Sequence, residues 1–168
     1  MAPTQSPIPE FEQEMVTTRR LIERVPSEKG EWKPHPKSFP LGHLAQLVCW
    51  IPGWIANTAS KPSLDIAGGG SSGGYSFEKT ETLLAMLDKN VAEAKTALAG
   101  LTDSALTETW SLMRGSQTLW AAPRGLVLRN HIGHLSHHRG QLTVYLRLLD
   151  VPLPMVYGPT ADENPFVK

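Results

Sequence analysis

Apolar residues recur at three- and four-residue spacing in four long segments of this 168-residue chain, and proline- or glycine-rich stretches separate them. That period belongs to α-helices with one buried face, and it leaves few folds open. Phe11, Met15, Leu21, Ile22 and Val25 mark a first helix over about 9–25, with Pro7 and Pro9 suited to its start and Pro26 to its end. Leu44, Leu47, Val48, Ile51 and Ile55 mark a second over about 40–58, which Pro52 is expected to kink or interrupt. Leu83, Leu84, Leu87, Val91, Ala94 and Leu98 mark a third over about 77–98, with Ser76 as its N-cap and Gly100 at its end. Leu128, Ile132, Leu135, Leu142, Leu146 and Leu149 mark a fourth over about 123–149. Between the third and fourth, 101–122 reads as irregular, with Trp110 and Trp120 as packing anchors, and no run alternates strictly enough to be a strand. Five glycines between Gly68 and Gly74 make 61–76 a mobile surface loop. The tail holds four prolines and should run extended. The expectation is an all-α four-helix bundle with an extended C-terminal strap, one domain over residues 1–168.

Charge and cysteine content narrow the function. Lys and Arg total 16 and Asp and Glu total 16, so the zero net charge argues against broad binding to nucleic acid or an anionic membrane. The most apolar stretch, Leu47 to Ala56, is too short to span a bilayer and is broken by Pro52 and Gly53. The single cysteine allows neither an internal disulfide nor a cysteine-rich zinc site. The first residues have no basic region followed by an apolar one, so they do not read as a signal peptide. A cytoplasmic protein is expected.

Four of the six histidines fall between Arg129 and Gln141. On a helix, Val127, His131, His134, His138, Gln141 and Tyr145 form a seam beside the leucine seam, so the histidines should face into the bundle or along its rim. His134 and His138 are one turn apart, with Cβ atoms about 6 Å from each other, and can chelate one divalent ion through their imidazoles. His131 and His138 lie two turns apart, about 10 Å by helical rise, and would share an ion less readily. His137 lies off the seam. A single inward histidine is usually a hydrogen-bonded core residue, but three on one stripe each need a partner for their polar nitrogens. Leu135 stands where a zinc protease helix carries its glutamate, and no nucleophile elbow accompanies a serine. Cys49 reads as a small buried residue, not as a nucleophile.

The stretch HLSHHRGQLTVYLRLLDVPLPMVYGPTADE, from His134 to Glu163, resembles the C-terminal signature of the DinB-like family of metal-dependent proteins, within the wider DinB/YfiT-like superfamily. Trp32 to Ser38 and the Leu-Gly-x-Leu-Ala start of the second helix are similar as well. The resemblance covers essentially the whole chain. It implies a four-helix bundle, often a homodimer, with three histidines on one divalent ion such as nickel or zinc. His134 and His138 match two of those ligands. The third position, on the second helix, is Leu47 here, and His43 lies one turn earlier on the same face. His43 is therefore the candidate third ligand. The resemblance further implies a metal-dependent hydrolase, or a transferase using a low-molecular-weight thiol, acting on a small molecule. The alternatives are a non-catalytic bundle with a degenerate metal site and a metal-free pocket for a small ligand. Trp50 and Trp54 would wall a pocket mouth, or pack against the fourth helix or a dimer partner. Arg139 and Gln141 would tie that helix to a neighbouring loop or orient a ligand. The tail reads as a strap pinned by Tyr157, with Asp162 and Glu163 not favoured as ligands.

Overall fold

A computed structural model describes residues 7–68 and 79–166. Four long helices, α1 (Ile8–Ile22), α2 (Leu41–Ser60), α3 (Thr80–Ala99) and α5 (Arg124–Leu148), correspond to the four amphipathic segments. α2 packs along both α3 and α5, and α1 touches both as well, so the four close around one core. Phe11, Leu21, Leu44, Val48, Ile55, Leu83, Leu87, Leu135 and Leu142 are all essentially inaccessible within it. The glycine-rich stretch from Gly69 onward and Ser76 lie outside the described residues, and the N-cap of α3 is Lys79 instead of the expected Ser76, because the helix starts only at Thr80.

The fold is helix-rich but not all-α, which corrects the expectation. A short helix, α4 (Asp103–Thr107), and three strands, β1 (Ser63–Asp65), β2 (Thr109–Arg114) and β3 (Gln117–Pro123), fill the range read as irregular and the start of the glycine-rich loop. β2 and β3 form an antiparallel hairpin, and β1 pairs with β2 in parallel. Gly115 and Ser116 make the two-residue turn, where Gly115 adopts φ +58°, a conformation glycine reaches without strain. Asp65 Oδ1 accepts from Gly115 N at 2.9 Å and from Ala67 N at 2.8 Å, binding the turn to β1. Leu112 pairs with Trp120 and Met113 with Thr118, so Leu119 is an unmatched residue that breaks the alternation.

Pro52 does not interrupt α2, which runs unbroken through it. Asn90 of α3 donates from Nδ2 to the Cys49 carbonyl at 2.8 Å, supplying a donor beside the turn that the proline loosens. Gly53 gives that side chain room, because a Cβ there would lie 3.3 Å from Asn90. α1 ends before Val25. Arg24 N and Val25 N close a tight turn on Leu21 and Ile22, and Pro26 holds Val25 extended.

Two buried arginines orient α5. Arg124, at its first residue and 6% exposed, donates from Nη1 to the carbonyls of Thr58 (2.9 Å), Ala59 (3.3 Å) and Lys61 (2.9 Å). Those donations satisfy carbonyls at and just past the end of α2 that have no intrahelical partner, and they place a cation at its negative pole. Arg139, 1% exposed, pairs with Glu14 of α1 at 2.5 Å and donates from Nη1 to Thr17 Oγ1, Thr18 Oγ1 and the Glu14 carbonyl. Its guanidinium also lies 5.0 Å from the centre of the Tyr157 ring. The Tyr157 hydroxyl donates to the Glu14 carboxylate at 3.0 Å and lies 3.0 Å from Ser136 Oγ, which pins the C-terminal segment across α1 and α5. Arg20 grips Glu163 through two 2.6 Å bonds, and Asp162 pairs with Arg147.

The Arg139–Glu14 pair yields the first prediction. Arg139→Met leaves a largely buried carboxylate uncompensated, and Glu14→Met leaves a buried guanidinium so. Each single change should cost about 3–5 kcal/mol in urea unfolding, because an unpaired buried charge is worse than none. The double variant should lose clearly less than the sum of the two, by at least ~1 kcal/mol. Strict additivity would show that the two charges do not depend on one another.

Candidate metal centre

α5 carries its histidines along one edge of the helix, turned toward α2 and the sheet. His131 is half-buried at the α2 side, and its Nε2 lies 3.1 Å from Thr58 Oγ1. One turn on, His134 and His138 bring their Nε2 atoms to 2.8 Å. Helical rise sets this pairing, since residues four apart sit one above the other. Trp54 of α2 backs both ends of the row, its ring 6.1 Å from that of His131 and 5.6 Å from that of His134. His137 sits edge-on to His138 at 5.0 Å.

Gln141 decides the tautomer of His138. Its Oε1 lies 2.8 Å from His138 Nδ1, so the Nδ1–H donates to it and the lone pair is left on Nε2. The same outward acceptor orients many metal-bound histidines. In the free pair, His134 Nε2–H donates to His138 Nε2. Burial, then the neighbouring His138 and His137, lowers the His134 pKa and favours the neutral ring that ligation requires.

These residues fit a divalent ion in part. Two nitrogens 2.8 Å apart subtend about a right angle at an ion held ~2.0–2.1 Å from each. Such an angle suits two adjacent positions of an octahedral or distorted site. A third protein ligand is not gathered there. Among the described residues, no three His, Cys, Asp or Glu side chains cluster closely enough to hold one ion. His43 stacks on Phe39 with ring centres 4.4 Å apart, and burial lowers its pKa. Phe39, in turn, lines a cleft of about 330 Å³ with His138, Gln141 and Tyr145. His43 thus contacts Phe39, which lines that cleft, and does not join the His134–His138 pair in a three-ligand cluster among the described residues. Leu47 is half-buried on α2.

The remaining residues singled out from the sequence divide between structure and site. Cys49 is fully buried, and burial pushes its thiol pKa far up, so it offers no thiolate. Arg139, Asp162 and Glu163 are spent on ties within the fold. Gln141 serves the site instead. Sequence reasoning missed Thr58, and it missed the sheet. The pleat puts Leu64, Trp110, Leu112 and Trp120 on one face, which closes a cavity of about 270 Å³ against Trp54, Thr58, His131 and His134. The Gly115-Ser116 pair was the available signal for that hairpin.

Comparison with known proteins gives the family and the fold. The sequence model described as the DinB family matches residues 9–164. The Bacillus subtilis (strain 168) protein YrdA, described as uncharacterized, is 44% identical over 41 residues, a match spanning 24% of this chain and only 25% of that protein. Two solved structures share the fold. A DinB-like protein of Bacillus subtilis, YjoA, aligns with a TM-score of 0.71 at 18% identity, covering 90% of this chain and 98% of that one. A DinB-like protein of Bacillus cereus ATCC 10987 aligns with a TM-score of 0.70 at 24% identity, covering 89% and 95%.

The burial of His131 gives a pH prediction. Its pKa is drawn down from 6.5 to about 4, first by desolvation and then by His134. The unfolded chain therefore takes up a proton between pH 6.5 and about 4 that the folded chain refuses, and stability falls as pH drops through that window. The loss should approach roughly 3 kcal/mol in urea unfolding at pH 4 relative to pH 7.5. His131→Gln should flatten most of that slope. An unchanged slope in the variant would show that His131 does not carry it.

Proposed function

Because this chain belongs to the DinB family, we propose that it binds a divalent metal ion through His134 and His138 and uses it in hydrolysis or in transfer of a small thiol. The observation that carries this reading is the imidazole pair at 2.8 Å with its Gln141 support. His43 is the proposed third ligand, reaching the ion from α2 after a local rearrangement, since no three-ligand cluster is formed among the described residues. Nickel and zinc are the proposed metals, since both accept imidazole and neither demands thiolate. When bound, the ion lowers the pKa of a coordinated thiol or water and so supplies a nucleophile near neutral pH.

The chain's own residues prepare the site. Gln141 holds His138 with its lone pair outward. His134 is kept neutral by partial burial. Trp54 lays an apolar ring against the His134 side of the pair. A small molecule, or a low-molecular-weight thiol, is the proposed substrate. The zero net charge supports the absence of nucleic acid as a partner. No helix among the described residues is long and apolar enough to cross a membrane. A cytoplasmic homodimer is the proposed working form, on the strength of the family.

A second reading has a specific observation behind it. Leu47 stands at the family's third ligand position, and no three-ligand cluster forms among the described residues. A degenerate centre, with the bundle retained for interaction or ligand binding, follows from that.

Metal analysis of untagged protein decides between them. The first reading expects near-stoichiometric nickel or zinc, abolished by His134→Ala or His138→Ala and strongly reduced by His43→Ala. Gln141→Leu should weaken binding about 10–100-fold while leaving the fold intact. Protein that takes up no metal after incubation with zinc and nickel would establish the degenerate centre. Retention of metal by His43→Ala would remove His43 from the ligand set.

A further inference from the structure

A cleft of about 330 Å³ lies beside His138 where two parts of the chain meet: Lys37, Ser38 and Phe39 from the loop before α2, and His138, Gln141 and Tyr145 from α5. That volume exceeds the ~150 Å³ that holds benzene and reaches the lower end of the range for small-molecule pockets. The loop is held in place by its own backbone. Lys37 N donates to His35 Nδ1 at 3.2 Å and Ser38 N to the His35 carbonyl at 2.9 Å, with Pro34 and Pro36 restricting the chain on either side. Leu41 N donates to the Trp32 carbonyl and Gly42 N to the Gly30 carbonyl, each at 2.9 Å, which ties the loop to the start of α2. Trp32 meets Tyr145 edge to face at 5.8 Å, and the Tyr145 hydroxyl donates to the Phe39 carbonyl at 3.3 Å, which ties it to α5.

Donors predominate on this lining. No Asp or Glu is among its residues. Both His138 nitrogens are engaged, one by Gln141 and one by His134, and the Tyr145 hydroxyl proton goes to Phe39. Three donors are left over. Lys37 Nζ, Ser38 Oγ and Gln141 Nε2 have neither a hydrogen bond nor an ion pair among the described residues. Gln141 Nε2 shares its carbon with the Oε1 that accepts from His138, so it lies beside that ring. Lys37 is exposed, and its flexible four-carbon stem lets the ammonium turn into the cleft it lines. Phe39, 46% exposed, and Tyr145 supply apolar surface next to these donors. An anionic pair of oxygens on an apolar body answers both features. A single ammonium, with no arginine on the lining, matches one negative charge better than the nearly two of a phosphate monoester.

We propose that this cleft binds a small monocarboxylate with an apolar body, Lys37 meeting its charge, the Gln141 amide donating to a carboxylate oxygen, and Phe39 and Tyr145 covering the body. The proposal rests on the metal reading only in making the cleft the substrate side of the His134–His138 centre. Binding itself needs no ion.

Benzoate is the probe, and benzamide, of nearly the same shape without the charge, is its control. Untagged, chelator-treated, ¹⁵N-labelled protein would be titrated with each at low salt, following the side-chain amide signals. Gln141→Leu identifies the Gln141 signal by its loss. Benzoate should shift that signal saturably and bind at least threefold more tightly than benzamide. Lys37→Met should remove the preference, Lys37→Arg should keep it, and raising salt from about 0.02 to about 0.3 M should weaken benzoate alone. Lys37 is exposed, so neither change threatens the fold. Equal affinities in wild type, a preference that survives Lys37→Met, or no saturable change at Gln141 would overturn the proposal. Inorganic phosphate that displaces benzoate and binds more tightly would overturn the carboxylate assignment in favour of phosphate. A benzoate preference in protein that takes up no metal would uphold the cleft and sink the metal reading alone. Metal-loaded protein with no such preference would sink the cleft assignment alone.

Discussion

The rotation of α5 about its own axis is the constraint on which the site depends, and buried guanidinium groups hold it. The leucine seam sets which side of α5 is buried, but an apolar stripe fixes the helix rotation only loosely. Arg139 removes that freedom, because its guanidinium must meet Glu14, Thr17 and Thr18 of α1 or be left buried without partners. Successive residues turn about 100° around a helix, so fixing Arg139 toward α1 fixes the bearing of its neighbour His138 as well. Arg124 performs the matching task at the other end, where the carbonyls at the end of α2 meet the first residue of α5. Thr58 gives its carbonyl to Arg124 and its hydroxyl to His131, so one residue of α2 aligns both.

Within that frame the histidines are not equivalent. His131 is partnered and largely desolvated, which makes it a neutral wall residue. His138 has one nitrogen committed outward to Gln141 and the other turned toward His134. His134 bridges the two environments, facing Trp54 on one side and His138 on the other. The row thus grades from an apolar cavity at the sheet end to an open cleft at the Phe39 end. A metal centre at the boundary would have an apolar cavity on one side and an open cleft on the other.

The C-terminal segment has a structural part in this. Tyr157 completes the Arg139–Glu14 cluster, and Asp162 and Glu163 are held by Arg147 and Arg20. Acidic residues that close the chain over α1 and α5 in this way are unavailable to the histidine pair on the far edge of α5. The segment stabilises the rotation of α5, and that is how it bears on the site.

Local periodicity was enough to show the four helices, because a helix makes its backbone bonds within itself and its buried face recurs every 3.6 residues. The His134–His138 pair was legible for the same reason, as was the inert burial of Cys49. The sheet was not. β1 is three residues long and finds its partner β2 more than forty residues away, Leu119 breaks the alternation of β3, and most of β3 is exposed on both faces. Only the Gly115-Ser116 turn left a trace in the sequence. The aromatic cavity, the Thr58–His131 bond and the contact of His43 with Phe39 were decided by tertiary structure. Each depends on where separate segments meet, and that is set by packing and by buried charges seeking partners, which no single segment encodes.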